Sequence, residues 1–275
     1  MTKSRIFTQA LLVLSVLALG FAGYLLVLSP IQQDRSQTVL YAQARQTLAE
    51  ISMPTGGKID PGTPVALLEI PGLQLSQVVV EGTAGSQLAE GPGHRRTSPL
   101  PGQPGTSVLL GRAQTFGAPF KEIGKLQPGD EVTATTGQGK FTYRVDSVRR
   151  EGDPVPPALA KGGSRMVLVS AEGGDLTGPE RTLFVDTTLI GEALAAPGGR
   201  PRTQLPEEEA LSRDTGELIE LVLWLQVLVL AVGFFAWARI RWGRWETWLV
   251  GVPVVVAATW QVYHSGAVAL LPNLV

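Results

Sequence analysis

Residues 116–149 read FGAPFKEIGKLQPGDEVTATTGQGKFTYRVDSVR, and their pattern decides the fold class. Phe141, Tyr143 and Val145 alternate with Thr142 and Arg144, which gives a strand one apolar and one polar face. The Gly137-Gln138-Gly139 turn joins that strand, 140–148, to a preceding strand at 131–135 as a hairpin. The same short-strand pattern extends both ways. PVALLEI at 64–70 and SQVVVE at 76–81 surround a Pro71-Gly72 turn, and TSVLL follows at 106–110. Downstream lie MVLVS at 166–170 and RTLFVDTTLI at 181–190. Only the segment around 119–126 looks helical. Many short strands punctuated by Gly and Pro predict an all-β unit over 60–191, either a closed barrel or a sandwich.

The flanks are different in kind. Residues 6–28 carry no charge, and a run of that length suffices to cross the hydrocarbon layer as a helix. The run exceeds the apolar core of a cleaved signal and has no clean small-residue cleavage site, so it reads as a retained anchor over 1–29. Two further apolar runs, about 218–238 and 247–271, predict a C-terminal transmembrane hairpin over 218–271. Pro253, Gln261 and His264 weaken the second of them. Lys3 and Arg5 precede the first span, and Arg239, Arg241 and Arg244 lie between the other two. Such clusters stay cytoplasmic, so residues 30–217 are expected outside the cell membrane and the N-terminus inside. All six tryptophans fall after residue 217, as an interfacial belt requires. Small residues Gly251, Ala257, Ala258 and Gly266 would let a membrane partner helix approach closely.

Between anchor and barrel, 30–59 reads as a juxtamembrane stalk, with Leu40, Ala44, Leu48 and Ile51 on one helical stripe. Residues 192–217 read as a linker back to the membrane, and Glu207-Glu208-Glu209 within it as the acidic opening of a helix. A net charge of −1 gives no sign of a nucleic-acid partner. No phosphate-binding or cofactor pattern is present, so neither cofactor nor metal is expected. Three acids around the Gly173-Gly174 turn, Glu172, Asp175 and Glu180, read as solvated, with a calcium site as the alternative.

Three segments in order, PVALLEIPGLQLSQVVVEGT (64–83), GPGHRRTSPLPGQPGTSVLLG (91–111) and the stretch at 116–149, resemble the sortase family of cell-surface transpeptidases. The resemblance implies an eight-stranded sortase barrel and an active site of cysteine, histidine and arginine. In that chemistry a thiolate attacks a sorting-signal peptide, the histidine moves protons, and the arginine steadies the oxyanion. This chain has no cysteine anywhere. By the resemblance Ala171 stands in the cysteine position, after VLVS, and Arg112 in the histidine position, after LLG. Arg181 retains the arginine. A methyl group is no nucleophile, and a guanidinium does not exchange protons near neutral pH.

The expectation is therefore a membrane-anchored pseudoenzyme at the cell surface, without catalytic residues. Its groove candidates are Arg112, Ser170, Ala171, Arg181 and His94. The two arginines would suit an acidic group such as a carboxylate, unless Arg112 simply pairs with Glu172. Expected partners are the lipid bilayer, a sorting-signal-like peptide or surface protein, and an active sortase or other membrane subunit. The alternative is a working transpeptidase or hydrolase using Ser170 or His94. Against it, alternation along the strand turns Ser170 away from the Ala171 side, and His94 lies in an earlier loop motif. His264 is expected at the membrane interface or facing the bundle, out of reach of the groove.

Overall fold

The computed structural model describes residues 3–174, 178, 181–241 and 244–275. Its centre is a closed eight-stranded barrel: β1 (Pro64–Ile70), β2 (Leu75–Glu81), β3 (Gly93–His94), β4 (Gly105–Leu110), β5 (Glu131–Thr136), β6 (Gly139–Arg150), β7 (Ser164–Glu172) and β8 (Arg181–Ile190). The strand order is β1-β2-β3-β4-β7-β8-β6-β5, closing on β1. Two pairings, β2 with β3 and β4 with β7, are parallel, and the rest are antiparallel. Every strand has a partner on both sides, although β2 meets β3 only at Val80 and Glu81. The alternation expected at β6 holds, with Phe141, Tyr143 and Val145 buried in one apolar core with Leu68, Leu109, Phe120, Leu168 and Val185. Gly102 closes the base of that core. It adopts a left-handed φ of 92°, an added Cβ would meet the Phe141 ring at 2.3 Å, and its N–H donates to Tyr143 Oη at 2.6 Å.

Sequence reading found every strand except β3, which has only two residues and no period of its own. It also missed α3 (Gly85–Glu90), a six-residue helix. The segment expected to be helical near 119–126 holds only a single tight turn, Ile123–Lys125.

The N-terminal helices α1 (Lys3–Gly23) and α2 (Ser29–Ala49) run on through one wide turn, Tyr24–Leu28. Leu40 and Ala44 of α2 pack with Met53, Val78 and Val80, so the expected stalk is clamped to the barrel. Ile51 departs from its predicted stripe. It lies past the helix end with a φ of 54° and is 89% exposed. At the other end α4 (Leu218–Arg241) and α5 (Arg244–Leu270) form the expected hairpin. Gly251 is spent inside it, since a Cβ there would sit 2.1 Å from the Phe235 ring. Among the described residues, two helical stretches are long and apolar enough to cross a membrane, Phe7–Ala49 and Thr215–Arg241.

The segment expected as a linker at 192–217 is fastened along the barrel. The Arg200 guanidinium donates to Glu81 Oε1 at 2.7 Å, and Arg96 Nε lies 2.5 Å from Glu208 Oε1. Glu207 and Glu208 therefore do not open a long helix. They sit in one tight turn, Pro206–Glu208, with Glu208 buried, and α4 begins only at Leu218.

Candidate functional site

One rim of the barrel gathers most of the groove candidates. β4 and β7 run side by side with Leu110 opposite Val169, and the Gly111 N–H continues the ladder to Val169 O at 3.0 Å. Arg112 thus leaves β4 level with the end of β7, where Ala171 lies. A Cβ at Gly111 would meet the Phe120 ring at 2.5 Å, so only glycine lets the chain turn against that ring.

Arg112 is completely buried. One terminal nitrogen donates to Val275 O at 2.8 Å and Thr115 Oγ1 at 3.2 Å, and the other to Gly85 O at 3.1 Å. Its Cζ lies 4.8 Å from the centre of the Phe116 ring. Burial pushes its pKa down to about 10, against opposing attraction from Tyr24 and Asp214, so it stays charged at neutral pH. A buried cation costs several kcal/mol unless its protons are met. Here two carbonyls and a hydroxyl meet those of the terminal nitrogens, while the buried Nε has no partner. The expected pairing with Glu172 is not formed, because Glu172 forms a two-pronged ion pair with Arg150 of β6, across the intervening β8.

Ala171 is buried among Leu88, Leu110, Ala113, Val167, Val169 and Leu274. Ser170, next along β7, is on the other face, and its hydroxyl donates to Gly111 O at 3.0 Å. Arg181 pairs in register with Glu172, while Thr182 pairs with Ala171. Paired residues share a face and neighbours alternate. Arg181 is therefore on the face opposite Ala171, and it is exposed. The structure brings Arg112 and Ala171 to one groove and leaves Arg181 outside it.

His94 is elsewhere. Its Nδ1 lies 2.9 Å from Glu81 Oε2, and its Nε2 lies 3.0 Å from both Pro99 O and Ser98 Oγ. The spacing of Ser98, His94 and Glu81 resembles a nucleophile, base and acid. However, the Ser98 hydroxyl also donates to Arg95 O at 2.9 Å and accepts from Val108 N–H at 3.2 Å. All three side chains are buried, so the cluster ties β2, β3 and the following loop together. Sequence reasoning did not foresee Glu81 or Ser98 there, since nothing in the motif marks their side chains.

His264 faces the helical bundle, as expected, but lies nearer the groove than expected. Its ring lies 6.0 Å from the Phe116 ring, edge to face, directly behind the ring beneath Arg112. Its Nδ1 lies 3.1 Å from both Tyr24 Oη and Gln32 Nε2. Among the described residues no group of three or more potential ligands could hold a metal. The calcium alternative included Asp175 and Glu180, which lie outside the described residues.

The fold is a closed mixed barrel with a rim groove between the ends of β4 and β7, joined to helices long and apolar enough to cross a membrane. Residues 68–182 match the family described as Sortase domain. Sortase D of Bacillus subtilis is 34% identical over 88 residues, which cover 32% of this chain and 43% of that protein. Sortase SrtE1 of Streptomyces coelicolor is 31% identical over 99 residues, covering 34% of this chain and 28% of that protein. The matched region is thus less than half the length of either relative. Among solved structures, a sortase D5 transpeptidase from Clostridium perfringens is 20% identical, with a TM-score of 0.48, covering 57% of this chain and 99% of that one. Sortase E from Streptomyces avermitilis is 32% identical, with a TM-score of 0.40, covering 48% and 91%. Through its barrel the chain belongs to the sortase family.

Proposed function

We propose that this chain is a membrane-attached, catalytically silent member of the sortase family that binds peptide at the cell surface without cleaving it. The observation that carries the reading is the absence of cysteine from the whole chain, with an alanine, Ala171, at the strand end where the family resemblance places the nucleophile. Arg112, in the position of the histidine, is supporting. Its terminal nitrogens donate to two carbonyls and a hydroxyl, and a guanidinium does not act as an acid–base group near pH 7. The rim groove would serve recognition, in surface-protein display or in assembly with another membrane subunit. Serine chemistry at Ser170 has little support, because its hydroxyl is turned from the groove onto Gly111 O. The basic clusters on either side of the apolar runs favour a cytoplasmic N-terminus and an extracellular barrel.

The test is turnover of a fluorogenic sorting-signal peptide by three proteins. The unmodified chain should give none, and Ala171→Cys should gain a thiol but no turnover. General acid–base help is worth about 10²–10⁴-fold, so any cleavage should be confined to Ala171→Cys combined with Arg112→His. Cleavage by the unmodified chain that is lost on Ser170→Ala or His94→Ala would overturn the proposal.

A further inference from the structure

The groove between Arg112 and Ala171 is filled by the chain itself. Residues 271–275, Leu-Pro-Asn-Leu-Val, leave the end of α5 and enter it, and all five are buried. The Leu274 side chain is fully buried in the apolar cluster that contains Leu88, Leu110, Val169 and Ala171. Its carbonyl accepts the Ala113 N–H at 2.9 Å. The next carbonyl, of Val275, accepts from Arg112 at 2.8 Å and from Thr115 Oγ1 at 2.5 Å. One residue earlier, the Asn273 amide donates to Glu207 O at 2.7 Å and Glu209 O at 2.8 Å.

These contacts divide as peptide recognition divides. Donors on Arg112, Ala113 and Thr115 read main-chain carbonyls whatever the side chains, while one apolar pocket and one amide socket read identity. We infer that this groove is a site for a peptide that folds into a tight turn, as Pro272 O accepting the Val275 N–H at 3.0 Å makes here, with Asn followed by a buried aliphatic residue, and that residues 271–275 occupy it in cis, so that an external peptide enters only by displacing them. The inference rests on reading the groove as a peptide site. It assigns Arg112 a concrete task, the reception of a peptide carbonyl.

The cysteine-free chain permits a clean test. Ala171→Cys would be the sole thiol, and its rate of alkylation by N-ethylmaleimide in the detergent-solubilised full chain reports how often the groove is open. Val155→Cys, at a position that is 77% exposed, is the reference for an open site. Ala171→Cys should react at least about tenfold more slowly than Val155→Cys. Adding Leu274→Ala, or Leu274→Asp, should speed it by about tenfold or more, because truncating a buried leucine removes much of what seats the segment. Millimolar synthetic Leu-Pro-Asn-Leu-Val should then restore protection to the Leu274→Ala protein, and a scrambled peptide should not. Circular dichroism checks that each variant is folded, and Leu274→Ala carries the test if Leu274→Asp is not. Alkylation of Ala171→Cys at the reference rate, indifference to both Leu274 changes, or failure of the peptide to protect would each overturn the inference. None of these outcomes depends on catalysis, so the turnover experiment can fail or succeed separately.

Discussion

Arg112 shows how one substituted position can change character entirely. The LLGR motif puts a guanidinium at the rim, and that much was legible in the sequence. Its partners were not, because Gly85 and Val275 lie 27 and 163 residues away along the chain. Local pattern reports what a residue is and which face it takes, while buried partners come from tertiary closure. Arg181 fails in the same way. Its place in the motif is clear, yet a one-residue offset in the β7–β8 register turns it from the groove. Arg112→Met would leave Gly85 O without its donor and Val275 O with only Thr115. An unmet buried polar group costs about 1–3 kcal/mol, so the variant should unfold at a visibly lower temperature in detergent. Arg112→Lys keeps the charge but not the planar fork, and should fall between the two. Equal melting temperatures for all three would show that the contacts contribute nothing to stability.

At the level of elements, α2 and β2 meet through a side chain that imitates a strand. Beyond Val80, which pairs with Gly93, the outer edge of β2 has no neighbouring strand. Gln37 fills the gap at Val78: its Oε1 accepts the Val78 N–H at 2.7 Å, and its Nε2 donates to Val78 O at 3.1 Å and to Glu90 O at 2.9 Å. Gly91 makes room, since a Cβ there would lie 2.1 Å from that nitrogen. Gln37→Leu should cost about 1–3 kcal/mol and speed hydrogen exchange at the Val78 amide, while Gln37→Glu keeps the acceptor and should protect that amide better than leucine does. Unchanged exchange in Gln37→Leu would dismiss the role. The strands themselves were readable because period-two alternation is intrinsic to them, as at Phe141, Tyr143 and Val145. β3 and α3 were not, being two and six residues long. The anchoring of the 192–217 segment was not legible, because Pro and Gly composition signals irregular chain and says nothing of whether that chain is fastened down.

For the whole molecule, α1 and α5 both reach the barrel by their C-terminal ends, where Tyr263 Oη donates to Leu17 O at 3.0 Å and the Tyr24 and Trp260 rings meet edge to face. Their N-terminal ends, and with them both basic clusters, therefore point away from the barrel. A reporter fused at Gly198 should behave as exported and one fused at Gly243 as cytoplasmic. The opposite pair of results would invert the orientation.

The unbroken helical run from Lys3 to Ala49 is roughly 70 Å long at about 1.5 Å per residue, more than twice the ~30 Å hydrocarbon thickness. Clamped to the barrel along its upper half, it acts as a ruler where a flexible tether would let the barrel roam. The groove would then stand at one height above the lipid, and a tethered partner could reach it only with a spacer of matching length.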